Sequence, residues 1–350
     1  MKLKINNQTF EISKASLPEI DAFVEKPWER EIVMFLEQWF DSPPYIEQKT
    51  SGSTGLPKRI KLSKETMLRS AAMTNNFFQL DNNSVSLLCL PASYVAGKMM
   101  IVRAIQGDYT LIAVEPSANP FVSIELPQLD FSAITPYQLL NSSKDIARAK
   151  IRNIIVGGSQ VTPAMEKMVS GWSTRIYETF GMTETASHIA LRRINGVERS
   201  TFFHALAGVN LSLDKRGCLI IEAPHLSDKR LITNDLAMLK DAHTFRWLGR
   251  ADRVINTGGV KVFAEQVERK LQSLIDLPFF ITGCPSEVFG QQVVLVIESP
   301  TIPDAELAEL YASMKSVLDR FEVPVRIICK QKFVYSEGNK VLREDTLKML

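Results

Sequence analysis

Cysteine is scarce in these 350 residues: Cys89, Cys218, Cys284 and Cys329 are widely spaced and form no C-x-x-C pair. That spacing argues against a disulfide framework or a zinc site and for reduced thiols packed in a core. Charge of one sign is also missing. Lys plus Arg is 41 and Asp plus Glu is 39, a net +2, so no global field favours nucleic acid or an anionic membrane, and any nucleotide must be held locally. Long apolar runs are absent: the most apolar stretch, 85-VSLLCLPASYVAGKMMIV-102, is interrupted by Pro91, Ser93, Gly97 and Lys98 and is too broken to span a bilayer. The N-terminus, MKLKINNQTFEIS, alternates, turns at Asn6-Asn7 and alternates again, which predicts a hairpin and not a signal peptide. A cytoplasmic location is the resulting expectation. No internal repeat or low-complexity tract is present.

What is present is chain length for two domains and an apolar content of 45%, ordinary for a globular protein. Stretch 28-WEREIVMFLEQWF-40 spaces Ile32, Phe35, Leu36 and Trp39 at helical intervals. From there to about residue 248, short apolar strands (85–90, 110–114, 131–135, 153–157, 175–180) alternate with helical stretches (62–78, 162–172). That alternation predicts an α/β layer architecture with a largely parallel sheet, whose ligands sit on loops at the carboxyl ends of strands. Glycines and charges interrupt the periodicity at 249-GRADRVINTGG-259, predicting domains at 1–248 and 249–350. The second would be a small α+β unit with a helix around 263–274, strands at 278–284 and 292–299, and an amphipathic helix placing Leu307, Leu310, Tyr311, Met314, Val317, Leu318 and Phe321 on one face.

Two stretches point to phosphate chemistry. The first, 49-KTSGSTGLPKRIKLS-63, is not a Walker A loop, since Gly52 and Gly55 lie three apart and Leu-Pro separates Gly55 from Lys58. Its glycines let the backbone approach a phosphate, Ser51, Ser53 and Thr54 add uncharged donors, and Lys58 and Lys61 supply countercharge. Taken alone, it also reads as a solvent-exposed turn. The second is 177-YETFGMTETASHIALR-192. A strand ending at Phe180 runs into Gly181 and Met182 and presents Thr183, Glu184 and Thr185 on the next loop. A carboxylate there can hold Mg²⁺ against nucleotide phosphates. A capped helix N-terminus with an acidic first turn is the alternative that needs no ligand.

These stretches resemble the phosphate-loop and Tyr-Gly-x-Thr-Glu motifs of the acyl-adenylate-forming superfamily of acyl-CoA synthetases, luciferases and peptide-synthetase adenylation domains. Further pieces follow in the family's order. Gly157-Gly158-Ser159 resembles the segment beside the adenine. Thr233-Asn234-Asp235 resembles Thr-Gly-Asp, whose aspartate binds ribose. Gly249-Arg250-Ala251-Asp252 resembles Gly-Arg-x-Asp, implying a ribose contact for Arg250 and a hinge at Asp252. Lys340 falls where the family has its catalytic lysine, and Gly258-Gly259 where it has a glycine-rich strand brought to the thiol tunnel when the small domain rotates.

The resemblance implies a large, shortened N-terminal adenylating domain and a small mobile α+β C-terminal domain using ATP, Mg²⁺ and coenzyme A. Glu184 would be the metal ligand, and Thr183, Glu184 and Lys340 the catalytic set. The departures are Asn234 for glycine, Asn256 for a lysine, a residue inserted before Lys340, and a phosphate loop near residue 50 where relatives have a much longer preceding segment. That last feature implies that most of one N-terminal subdomain is missing.

For the acid, 90-LPASYVAGKMMIVRAI-105 resembles the family's Leu-Pro-x-x-His-x-x-Gly stretch with Tyr94 in place of histidine. Tyr94 reads either as a wall of the acyl pocket or as an incidental aromatic. The small size and the run 183–192 resemble the o-succinylbenzoate-CoA ligases of menaquinone biosynthesis. That dicarboxylate predicts a cationic, hydroxyl-rich pocket: Ser187, His188 and Arg192 are the leading candidates, with Gly97, Lys98 and Arg103 behind them. His188 also reads as an ordinary polar loop residue; His204, His225 and His243 show no ligand spacing. A ligase for another aryl or acyl acid, a carrier-protein-loading enzyme and a nucleotide-binding protein without catalysis are the alternatives. The expected partners are small molecules and, in assembly, a homodimer.

Overall fold

The computed structural model describes residues 1–49, 59–122, 128–224, 226, 229–335 and 341–348. The N-terminal hairpin forms as its sequence predicts: Lys2–Ile5 pairs antiparallel with Gln8–Glu11, and Asn6 and Asn7 both take positive φ (47° and 67°), as a twist-matched two-residue turn requires. Lys2–Ile5 then adds in parallel to Thr110–Ala113, so the hairpin closes one end of the main sheet.

Among the described residues that sheet has thirteen strands. Its parallel half runs Lys2–Ile5, Thr110–Ala113, Val85–Leu88, Leu129–Ile134, Ile151–Val156, Arg175–Gly181. The other half, from His188–Arg193 through Phe203–Ala205, Thr244–Arg250, Leu231–Asp241 and Cys218–Glu222 to Asn210–Leu213, is antiparallel throughout. The sheet is therefore mixed and not largely parallel. Connection length decides this: no α-helix intervenes between residues 181 and 250, and short connections can only join antiparallel neighbours.

Apolar cores cover both faces of the parallel half. Helices Pro27–Phe40, Lys64–Phe78 and Val95–Gly107 pack on one face around Leu36, Met67 and Met100. Pro163–Val169 and Pro136–Asn141 lie on the other around Leu139, Ile154 and Val169. Two of the long helices stop for a local reason, Gln79 and Asp108 turning left-handed (φ 55° and 51°) to end theirs.

Strand Thr244–Arg250 passes through a single 3₁₀ turn, Ala251–Arg253, into Val254–Thr257 of a second sheet. That sheet orders Val260–Phe263, Val254–Thr257, Gly290–Glu298 and Phe279–Ser286, with Arg326–Lys330 parallel to Gly290–Glu298. Helices Ala264–Leu271 and Asp304–Val317 share its core with Met314 and Leu318. The amphipathic helix is shorter than its pattern: it ends at Val317, leaving Val317 and Phe321 exposed. Among the described residues no helix is long and apolar enough to cross a membrane.

Candidate active site

A cavity of about 860 Å³ lies where the carboxyl end of the main sheet faces the second sheet. Residues far apart in the chain converge on it: Gly158, Ser159, Phe180, Gly181, Asp235 and Arg250 from the main sheet, Glu265, Glu268 and Arg269 from helix Ala264–Leu271, and Val341 and Arg343 from the C-terminal segment. Its described ionisable lining has six arginines (192, 246, 250, 253, 269, 343) against Asp235 and Glu178, Glu265 and Glu268, a surplus of two positive charges suited to an anionic ligand.

Asp235 and Arg250 are register partners on adjacent antiparallel strands. The Asp235 carboxylate accepts from the Trp247 indole at 2.9 Å, and its backbone N–H donates to Thr233 Oγ1, which itself donates to the Leu219 carbonyl. Burial pushes the Asp235 carboxyl above the usual range, opposed by the indole and by Arg250. Arg250 forks onto Asp252 through Nε (3.2 Å) and an Nη (2.9 Å). Burial opposes ionisation of Asp252, yet that guanidinium holds it below the usual range.

Close packing explains three glycines. A Cβ on Gly157 would meet Thr179 Oγ1 at 2.4 Å, one on Gly97 the Pro91 carbonyl oxygen at 2.1 Å, and one on Gly181 both the Ser187 carbonyl oxygen and His188 Cα at 2.4 Å. Gly158 instead has open space and φ 94°, which presents its backbone at the cavity wall. Thr183–Thr185 forms a 3₁₀ turn after the strand, with Glu184 exposed and in no ion pair among the described residues.

Beneath this turn lies a buried cationic cluster. The guanidinium of Arg103, 1% exposed, donates to Ser187 Oγ at 2.6 Å and sits over the Phe131 ring, but no carboxylate pairs with it among the described residues. Its Nε has no partner. Ser187 Oγ lies 3.3 Å from His188 Nδ1, His188 Nε2 lies 3.2 Å from Thr74 Oγ1, and Thr74 Oγ1 reaches the Ser70 carbonyl. Thr74 has one proton, given to that carbonyl, so it accepts from His188 Nε2–H. Nδ1 then accepts from Ser187, and Ser187 from Arg103. Burial, then Arg103, drives the His188 pKa well below its ordinary value, while burial pulls Arg103 down only to about 10 and leaves it charged at neutral pH.

The model of the AMP-binding enzyme family matches residues 43–209. A solved acyl-CoA synthetase (AMP-forming)/AMP-acid ligase II-like protein from Dyadobacter fermentans is 33% identical, covering 93% of this chain and 95% of its own, with a TM-score of 0.61. The chain belongs to the AMP-binding enzyme family. It is an acid–thiol ligase by class. The 2-succinylbenzoate–CoA ligase of Haemophilus influenzae is 23% identical over 89% of this chain and 69% of its own. The o-succinylbenzoate CoA synthetase of Bacillus subtilis, solved with its acyl-adenylate intermediate, shares the fold at a TM-score of 0.74 and 19% identity, over 85% of this chain and 68% of its own.

In this AMP-binding enzyme the predicted site residues separate into several places. Gly158, Ser159, Phe180, Gly181, Asp235, Arg250 and Arg192 line the cavity, with Asp252 joined to it through Arg250. Ser187 and His188 join Arg103. Lys98 stands apart on helix Val95–Gly107, its ammonium on Gln48 at 2.7 Å, and Tyr94 precedes that helix, 41% exposed. Gly258 and Gly259 form the turn between Val254–Thr257 and Val260–Phe263, both at positive φ. Met182 precedes the 3₁₀ turn, half-buried. Ser51, Gly52, Ser53, Thr54, Gly55, Lys58, Lys340 and His225 lie outside the described residues. The flanking strands are described: Tyr45–Lys49 pairs antiparallel with Arg59–Ser63, and the latter packs on the Thr183–Thr185 turn.

Arg192, expected to face substrate, is held by carboxylates: its Nε donates to Glu178 at 2.9 Å and an Nη to both Glu178 and Glu166. Sequence reasoning missed Trp247, Glu166 and Arg269. Trp247 sits three residues before Arg250 on the same strand, so alternation alone puts them on opposite faces, and the pairing irregularity between Leu236 and Ala237 brings both to Asp235; the Glu166–Arg269 contact joins residues 103 apart and left no local signal.

Proposed function

We propose that this enzyme condenses ATP with o-succinylbenzoate to an acyl-adenylate and then transfers the acyl group to coenzyme A. In the first step a carboxylate oxygen attacks the α-phosphorus and pyrophosphate leaves; in the second the thiol attacks the acyl carbonyl and AMP leaves, its proton passing to solvent. Both steps need negative charge neutralised and reactants held in line.

Asp235 and Arg250 would hold the ribose, Gly157–Ser159 the base, and Ser51–Lys58 the departing phosphates. Glu184, exposed and unpaired, fits a magnesium ion, which binds by one or two carboxylates plus phosphate and water oxygens; the ion would neutralise those phosphates. Lys340 would serve adenylation, and Gly258–Gly259 the thiol. Domains 1–248 and 249–350, hinged at Asp252, would carry these two sets, in keeping with the single 3₁₀ turn joining the sheets.

The observation that carries the substrate reading is Arg103. A buried guanidinium with no carboxylate partner among the described residues is costly, and a second carboxylate on the acid would offset that cost. The named relatives point to the same acid. Pyrophosphate exchange is to be measured with o-succinylbenzoate, benzoate and straight-chain acids, followed by product mass with CoA. Exchange dependent on o-succinylbenzoate is expected, with Arg103→Met raising its KM about 100-fold, the loss of a charge-assisted contact. Exchange with a different acid alone would overturn the substrate, and exchange unaltered in Lys340→Ala would overturn the chemistry.

A further inference from the structure

Between the cavity and the Arg103 cluster the backbone takes an unusual course. Ala186 is fully buried with φ 61° and ψ −36°, unlike the left-handed helix ends at Gln79 and Asp108. Ser187 N–H donates to the Thr185 carbonyl at 2.7 Å, so residues 185–187 form a γ-turn, a strained three-residue turn that a side-chain-bearing residue rarely occupies. Such a conformation persists only where its surroundings over-determine it.

Those surroundings are on both sides of the turn. Thr185 Oγ1 accepts from the Met182 N–H at 3.0 Å and lies 2.6 Å from the Ser187 carbonyl oxygen and 2.9 Å from that of Met182. Its single proton serves one carbonyl at a time, and the shorter contact assigns it to Ser187. One hydroxyl thus joins the start of the 3₁₀ turn to the residue beyond the strained one. Gly181 packs against the opposite side, with no room for a Cβ beside the Ser187 carbonyl.

Six consecutive residues therefore reach two places. The turn Thr183–Thr185 packs on strand Arg59–Ser63, and Ser187 and His188 sit on Arg103 and Thr74. The γ-turn sets the angle between them.

We propose that Thr185 is a positioning residue for the acid: its hydroxyl clamps the turn at Ala186, which places Ser187 Oγ against the Arg103 guanidinium and so orients that guanidinium for the acid. Thr185 touches no substrate. Its effect falls more on the acid than on the nucleotide, because its proton holds the Ser187 carbonyl, whereas on the Met182 side it accepts one backbone N–H. This inference rests on the assignment of Arg103 to the acid.

The test compares Thr185→Val, Thr185→Ser and Ala186→Gly with the unaltered enzyme in pyrophosphate exchange, with KM read separately for acid and ATP. Thr185→Val is expected to raise the acid KM about tenfold, the scale of one lost hydrogen bond, with a clearly smaller rise in the ATP KM, and Thr185→Ser to restore it within about twofold. Ala186→Gly keeps every polar group, relieves the backbone, and is expected to raise the acid KM about threefold without lowering the melting temperature. It serves as the measurement if Thr185→Val fails to fold. Equal rises in both KM values, an unchanged acid KM, or failure of serine to rescue would overturn the proposal. If the unaltered enzyme ignores o-succinylbenzoate, the function proposed above fails, and the same ratios are read with the acid the panel identifies. A selective rise there supports the role of Thr185 and its absence overturns it.

Discussion

His188 sits in a run of hydrogen bonds from Arg103 to the Ser70 carbonyl, where a second ring proton would turn the Ser187 hydroxyl proton away and add a buried charge beside Arg103. Its folded pKa is depressed, so below about 6.5 the unfolded chain binds a proton that the folded chain refuses. Stability is therefore complete above that pH and falls beneath it, by at most about 1.4 kcal/mol per pH unit, until the folded pKa is reached. Urea unfolding between pH 7.5 and 5 should show this slope, and His188→Gln should flatten it; an unchanged slope would place the titration elsewhere. At this scale the sequence identified residue types better than their partners. Ser187, His188 and Arg192 were named together as polar candidates, but nothing local distinguished Arg192, neutralised by Glu178 and Glu166, from Arg103, which has no carboxylate among the described residues.

Gly181 shows how one element depends on its neighbour. Strand Arg175–Gly181 pairs with His188–Arg193, and the chain returns so closely that a methyl group at 181 would enter the backbone of Ser187 and His188. Gly181→Ala is expected to cost about 1–3 kcal/mol, the usual penalty of overpacking, and to raise the acid KM by displacing Ser187. Thermal melting and acid KM would check both halves of that expectation. Strands and helices themselves were largely legible, because apolar alternation and helical spacing are local. Sheet direction was not: the parallel order held up to Arg175–Gly181 and reversed beyond it, where short connections replace crossover helices.

Across the whole molecule, Glu166 ties the two sheets together. Its buried carboxylate receives Arg192 at 2.9 Å and Arg199 at 2.8 Å from the main sheet's side, and Arg269 at 2.6 Å from helix Ala264–Leu271 beside the second sheet. Burial works against its ionisation, and the three guanidiniums together hold its pKa below the usual range. Arg269→Ala would leave Glu166 two partners and release only the bond between sheets, whereas Glu166→Gln would leave Arg192 with Glu178 as its one carboxylate and weaken all three guanidinium contacts, at about 1.5–3 kcal/mol. Hydrogen exchange should therefore quicken in residues 264–271 alone for Arg269→Ala, and in strands 175–181 and 188–193 as well for Glu166→Gln. Uniform protection in both variants would show that the ion pair does not hold the sheets in register.

By itself the sequence determined the elements, the N-terminal hairpin, the order of the phosphate- and ribose-type motifs and the family they resemble, because each is written in neighbouring residues whose spacing or turn chemistry is local. Tertiary structure alone decided which arginine is compensated, that Thr185 clamps a strained turn, and that Asp235, Arg250 and Glu268 face one cavity. Those outcomes depend on groups brought together across tens to hundreds of residues, where burial sets the cost of every unpaired charge.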